Sequence, residues 1–214
     1  MIPVSLAPEP ANFDTKVRAP GLRAIAELVG DKSSRRGRRF KKVAAIREEI
    51  PANKFPPLWR EALEDLLDSY NRTCAYLCLY IPRGTGAPSV DHMVAKSRDW
   101  DKVYEWSNYR LVCALMNSRK GVFSDVLDPF EVGDNWFALE LVEFQVVLGP
   151  NVPDDMRGAV ETTIRRLQLN DAQCCGAREE YAWNYQEGHI SLDYLRRHAP
   201  FVASELHRQH EQRA

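Results

Sequence analysis

SVDHMVAKS at residues 89–97, followed by WSNYRLVCALMNSRKG at residues 106–121, is the stretch on which the fold turns. SVDHMV has the β-forming composition of a short strand, and the preceding CAYLCLYI (74–81), rich in aromatic and β-forming residues, reads as its partner. RGTGAP between them has the glycine and proline content of a turn, so a β-hairpin is expected over residues 74–94. Ser107 can cap a helix that runs through NYRLVCALMN and stops at Gly121. The expected order is strand, turn, strand, loop, helix.

On the N-terminal side, Leu58, Trp59, Ala62, Leu63, Leu66, Leu67 and Tyr70 recur at helical spacing with acids between them, which predicts an amphipathic helix. Pro3, Pro8, Pro10 and Pro20 argue against a continuous helix over the first twenty residues. Short helical patterns follow at Gly21–Val29 and Phe40–Glu49. Residues 1–52 are therefore expected to form an extended basic arm, 53–125 a core, and 126–214 a C-terminal segment. In the last of these, NWFALELVEFQVVLG suggests one or two strands, and the remainder is mostly helical. The fold class is α+β.

The net charge of −1 conceals an asymmetry, because residues 1–50 carry 11 Lys and Arg against 6 Asp and Glu. Seven cations lie in KSSRRGRRFKK (32–42), among them Arg35, Arg36, Arg38 and Arg39. That string is suited to phosphate contact or, equally, to a solvated loop. No run approaches the roughly 18 apolar residues of a membrane span, which with the absence of a leader-like start points to a cytoplasmic protein with no membrane partner. Five cysteines, an odd number with Cys174 and Cys175 adjacent, favour reduced thiols over a disulfide framework. Walker-type and dinucleotide-binding motifs are missing, and His189, His198, His207 and His210 read as surface residues.

SVDHMVAKS with WSNYRLVCALMNSRKG resembles the ββα-metal core of HNH endonucleases, over about residues 73–121. The resemblance places the family's acidic ligand at Asp91, its catalytic histidine at His92, its middle asparagine at Asn108 and its final ligand at Asn117. It implies that Asp91 and Asn117 hold one divalent ion, Mg²⁺ or Mn²⁺, and that His92 is the general base activating water. Asn108 is then expected to orient the imidazole or the nearby backbone. An imidazole of ordinary pKa about 6.5 is matched to proton abstraction near neutrality. Adjacent strand residues point to opposite faces, so Asp91 and His92 can share a site only if the strand ends or twists there. Lys96, Arg119 and Lys120 are candidate phosphate contacts beside the basic string.

Many members of that family add a zinc held by two Cys-x-x-Cys pairs. Here Leu77 and Met116 replace the second cysteine of each pair, so structural zinc is expected to be absent and Cys74, Leu77, Cys113 and Met116 to pack as an apolar cluster. The implied substrate is DNA, with RNA open, cut to 5′-phosphate and 3′-hydroxyl ends. A looser resemblance, to HNH subunits of Septu or retron-type bacterial defence systems, implies an ATPase partner and an anti-phage role. The alternative is a silent nucleic-acid-binding or scaffolding subunit that kept the fold.

Overall fold

Two short antiparallel sheets are embedded among helices in the computed structural model, which describes residues 1–31 and 39–211. Helix α1 (Ala19–Val29) is followed by α2 (Leu63–Ser69), which continues directly from a 3₁₀ turn at Leu58–Ala62. Strand β1 (Pro88–His92) pairs with β2 (Tyr109–Cys113), and α3 (Ala114–Lys120) follows without a break. Strands β3 (Phe137–Leu139) and β4 (Val146–Leu148) form the second hairpin. Helices α4 (Arg157–Arg166), α5 (Ala172–Gln186), α6 (Leu192–His198) and α7 (Pro200–Glu211) complete the chain. The fold is mixed α and β, in agreement with the α+β expectation. Among the described residues, no helix is long and apolar enough to cross a membrane.

The strand, strand, helix order holds in a different register from the one expected. NYRLVC is strand rather than the first half of a helix, with Asp91 opposite Arg110 and His92 opposite Tyr109. All of Tyr109, Arg110, Leu111 and Val112 are buried, so this strand lacks the alternation that marks a half-exposed one. CAYLCLYI, in turn, does not pair as a strand with β1. Its first residues close a tight turn in which the Cys78 N–H donates to the Cys74 carbonyl at 2.8 Å with Cys78 at φ +54°, and only Thr73 and Tyr80 form a bridge. The loop joining the paired strands therefore runs from Met93 to Asn108. Gly121, at φ +49°, ends α3 in a conformation that side chains disfavour.

Residues 1–52, expected as an appendage, supply Phe13, Val17, Ile25, Leu28 and Ile50 to the same apolar core as Leu66, Tyr109, Leu111 and Phe201. Their burial makes this segment part of the body. The helix here starts at Asp14 and passes through Pro20, because a π turn in which the Ala19 N–H reaches the Asp14 carbonyl makes room ahead of the proline ring. Gly21 lets α1 press on the ring of Tyr104, where a Cβ would come within 2.3 Å. Phe40–Glu49 is helical only in a 3₁₀ turn at Arg47–Glu49.

Candidate active site

β1 ends at His92, and that termination allows Asp91 and His92 to line one cleft despite the alternation of strand side chains. The cleft, of about 620 Å³, is also lined by Ser89, Lys96 and Asn117, by Trp59 and Arg60 of the segment leading into α2, and by Leu63 at its start. Hence His92 at the strand end and Asn117 on the following helix both line one cavity.

His92 is held on three sides. Its Nε2 lies 3.0 Å from the Val103 carbonyl, an acceptor, so that nitrogen carries the proton and Nδ1 keeps a free lone pair. Trp59 meets the ring edge-on at 4.9 Å, and Tyr109 at 5.2 Å. The Tyr109 hydroxyl donates to the same Val103 carbonyl at 2.9 Å, so strand and loop are tied at one atom. With only 7% of the residue exposed, burial lowers the imidazole pKa to about 3, and the nearby Lys96 and Lys120 charges lower it too. The ring is neutral throughout the physiological range.

Asp91, 2% exposed, is held from behind: the Tyr76 hydroxyl donates to Oδ2 at 2.9 Å and the Lys120 ammonium lies 3.3 Å from Oδ1. Burial nonetheless raises its pKa, outweighing Lys120, Tyr76 and Arg110. The carboxylate is thus incompletely compensated, and a further cation in the cleft would lower its energy. Asn117 donates through Nδ2 to the Ser89 hydroxyl at 2.6 Å, which turns its carbonyl oxygen away from that partner. A carboxylate and an amide oxygen make a hard donor pair suited to an ion that keeps most of its shell as water and phosphate oxygens. Among the described residues, no group of three or more His, Cys, Asp and Glu is placed to hold a metal ion, so this pair would supply few protein ligands.

Asn108 lies behind the cleft. It is buried and clamps the loop: Oδ1 accepts from the Val94 N–H at 2.7 Å, while Nδ2 donates to the Val94 and Lys102 carbonyls at 3.1 and 2.9 Å. Through that loop it sets the position of Val103, and through Val103 the imidazole. Orientation of the backbone was the expected role for this residue.

Two expected phosphate contacts are corrected. Lys120 is 0% exposed, and its ammonium donates to the His92 and Met93 carbonyls besides pairing with Asp91, so it cannot meet a ligand in solvent. Arg119 points to the C-terminal segment, where it pairs with Asp171 and donates to the Leu167 and Gln168 carbonyls. Lys96 does line the cleft, its ammonium 4.1 Å from the centre of the Trp59 ring. Arg39 is exposed beyond α1, and Arg35, Arg36 and Arg38 lie outside the described residues.

The half-kept cysteine pairs come together. Cys74 and Cys113 sulfurs stand 3.9 Å apart, with Met116 fully buried and Leu77 partly buried in the same core. Burial raises the Cys74 pKa, whereas its hydrogen bond lowers that of Cys113 to about 6. Residues that the sequence reading did not assign to the site are Trp59, Tyr76, Ser89 and Val103. Trp59 sat in the amphipathic pattern and Tyr76 in the misread strand, and neither carried a signal of its own. No protein-family model matches the chain, and a search of curated proteins finds no match.

Proposed function

We propose that this protein is a metal-dependent endonuclease of the HNH type, hydrolysing phosphodiester bonds in DNA with His92 as general base. The observation that supports it most is the fixed imidazole: protonated at Nε2 against Val103, bare at Nδ1, and in one cleft with Asp91 and Asn117. Nδ1 takes the proton of the attacking water. The Val103 carbonyl then stabilises the imidazolium as it forms, since its acceptor already faces Nε2–H. A resting pKa of about 3 keeps the ring unprotonated but makes it a weak base, so the role requires that bound phosphate charge raise that pKa. Lys96, over Trp59 at the cleft wall, pairs with a neighbouring phosphate.

A divalent ion held by the Asp91 carboxylate and Asn117 Oδ1 would supply charge neutralisation at the phosphate and the leaving oxygen. The Asp91–Lys120 pair already offsets part of the carboxylate charge, so the ion would be held weakly until substrate phosphate joins its shell. That pairing also favours the second reading, a silent nucleic-acid-binding subunit. An ATPase partner and a defence role rest on the sequence resemblance alone.

The test is plasmid nicking with Mg²⁺ or Mn²⁺ by wild type and His92→Ala. Wild type is expected to nick, and the variant to fall by 100-fold or more, about the scale of a general base. No cleavage by wild type with either ion gives the silent reading; undiminished cleavage by the variant removes His92 from the mechanism.

A further inference from the structure

A second cleft, of about 630 Å³, opens near the far end of the helix that walls the first, lined by Asp68, Arg72, Tyr80, Arg83, Arg196, Arg197 and His198 among others. Its arginines differ from the ion-paired ones elsewhere in the chain. Arg18, Arg110, Arg119, Arg166 and Arg208 each pair with a carboxylate. Around this cleft, among the described residues, Arg72 reaches the Ile81 carbonyl and the Tyr80 ring, and Arg197 the Asp193 carbonyl, with no carboxylate partner for either. Arg83 is exposed and has no carboxylate partner among the described residues, and Arg196 has a single long pair, 3.8 Å from Asp193. Beside them Tyr194 stacks on His198 at 3.8 Å, and Tyr80 packs on the same imidazole at 4.6 Å. Guanidinium groups converging on a concave surface with little acid to neutralise them make an anion site.

Two elements lead from this cleft to the catalytic one. Leu63 lines the first and Leu67 the second, four residues or about 6 Å along α2. Arg83 lines the second and Pro88 the first, five residues of chain that span at most about 17 Å. At about 3.4 Å of axial rise per nucleotide, these lining residues of the two clefts lie within roughly two to five nucleotides of one another along one strand.

We infer that this arginine cleft holds backbone phosphates of the same nucleic acid, a few nucleotides from the scissile bond. The inference rests on the reading that the His92 cleft takes nucleic acid. Guanidinium forks match phosphate oxygens, and contacts of this kind position the strand without reading its sequence. The cleft thus anchors substrate, a role that Arg119 and Lys120 do not fill.

Fluorescence anisotropy of a labelled 30-base-pair duplex, measured on the full chain in EDTA so that nothing is cut, tests this. Arg83→Ala/Arg196→Ala/Arg197→Ala is expected to bind at least 10-fold more weakly at low salt, with the slope of log affinity against log salt shallower by about 2 to 3. All three side chains are exposed, so the melting temperature should stay at the wild-type value; Arg197→Glu alone repeats the test with one change. Unaltered affinity and slope in both variants would overturn the inference, as would absence of binding by wild type. Displacement of the duplex by stoichiometric pyrophosphate would overturn it in favour of a small phosphate ligand. The nuclease reading fails separately: a wild type that binds through these arginines but never nicks plasmid keeps the anchor and loses the hydrolysis.

Discussion

The His92 cleft and the arginine cleft are similar in size and opposite in how they treat charge. Behind the first, Lys120 and Asp91 are buried and paired with each other, and Asn108 has its polar atoms engaged by the loop backbone. Around the second, Arg83, Arg196 and Arg197 stand in solvent with little to neutralise them. Closeness to a motif in sequence therefore does not decide whether a cation meets a ligand. Lys120, three residues from Asn117, is buried as the partner of Asp91; Arg197, eighty residues on, is exposed.

If that contrast is right, the two regions respond differently to truncation. Lys120→Ala leaves the Asp91 carboxylate buried without its partner and is expected to cost about 3–5 kcal/mol of stability, the largest effect of any single change considered, read by urea denaturation. A loss under 1 kcal/mol would mean that the pair is solvated after all.

The imidazole gives a pH signature of intermediate size. Its folded pKa, about 3, lies below the unfolded value near 6.5, so the unfolded chain binds the proton first and stability is lost as pH falls through that window. Between pH 7 and 4.5 wild type is expected to lose about 2–3 kcal/mol more than His92→Asn, which lacks the titrating ring. Parallel curves for the two proteins would show that His92 is not buried as a neutral base. The smallest effect belongs to the other cleft: Arg197→Ala should change stability by less than about 0.5 kcal/mol. A larger loss would make that arginine part of the framework instead.

How much of this was legible in sequence depends on what each residue is paired with. Asp91, His92 and Asn117 were brought to one place by the resemblance and not by spacing, since the helix expected between Ser107 and Asn117 is strand over Tyr109–Cys113. NYRLVC could not be told from helix, since a strand buried on both faces loses its period of two. CAYLC carries strand-forming residues in a turn set by the Cys74–Cys78 backbone bond, so tertiary context overrode propensity there. Lys120 was read as a surface cation because lysine usually is one; its burial follows from three partners, two of them backbone carbonyls that no residue pattern reveals. The arginine cleft was invisible for a similar reason, its side chains coming from residues 72–83 and 196–197 and meeting only in the fold.

All of the proposed chemistry depends on which nitrogen of His92 carries the proton. ¹⁵N-detected long-range correlation NMR on histidine-labelled protein reads that state directly. The expected spectrum shows a neutral His92 ring with Nε2 protonated and Nδ1 bare, unchanged from pH 8 to pH 5. An Nδ1-protonated ring, or an imidazolium forming near pH 6.5, would contradict the account.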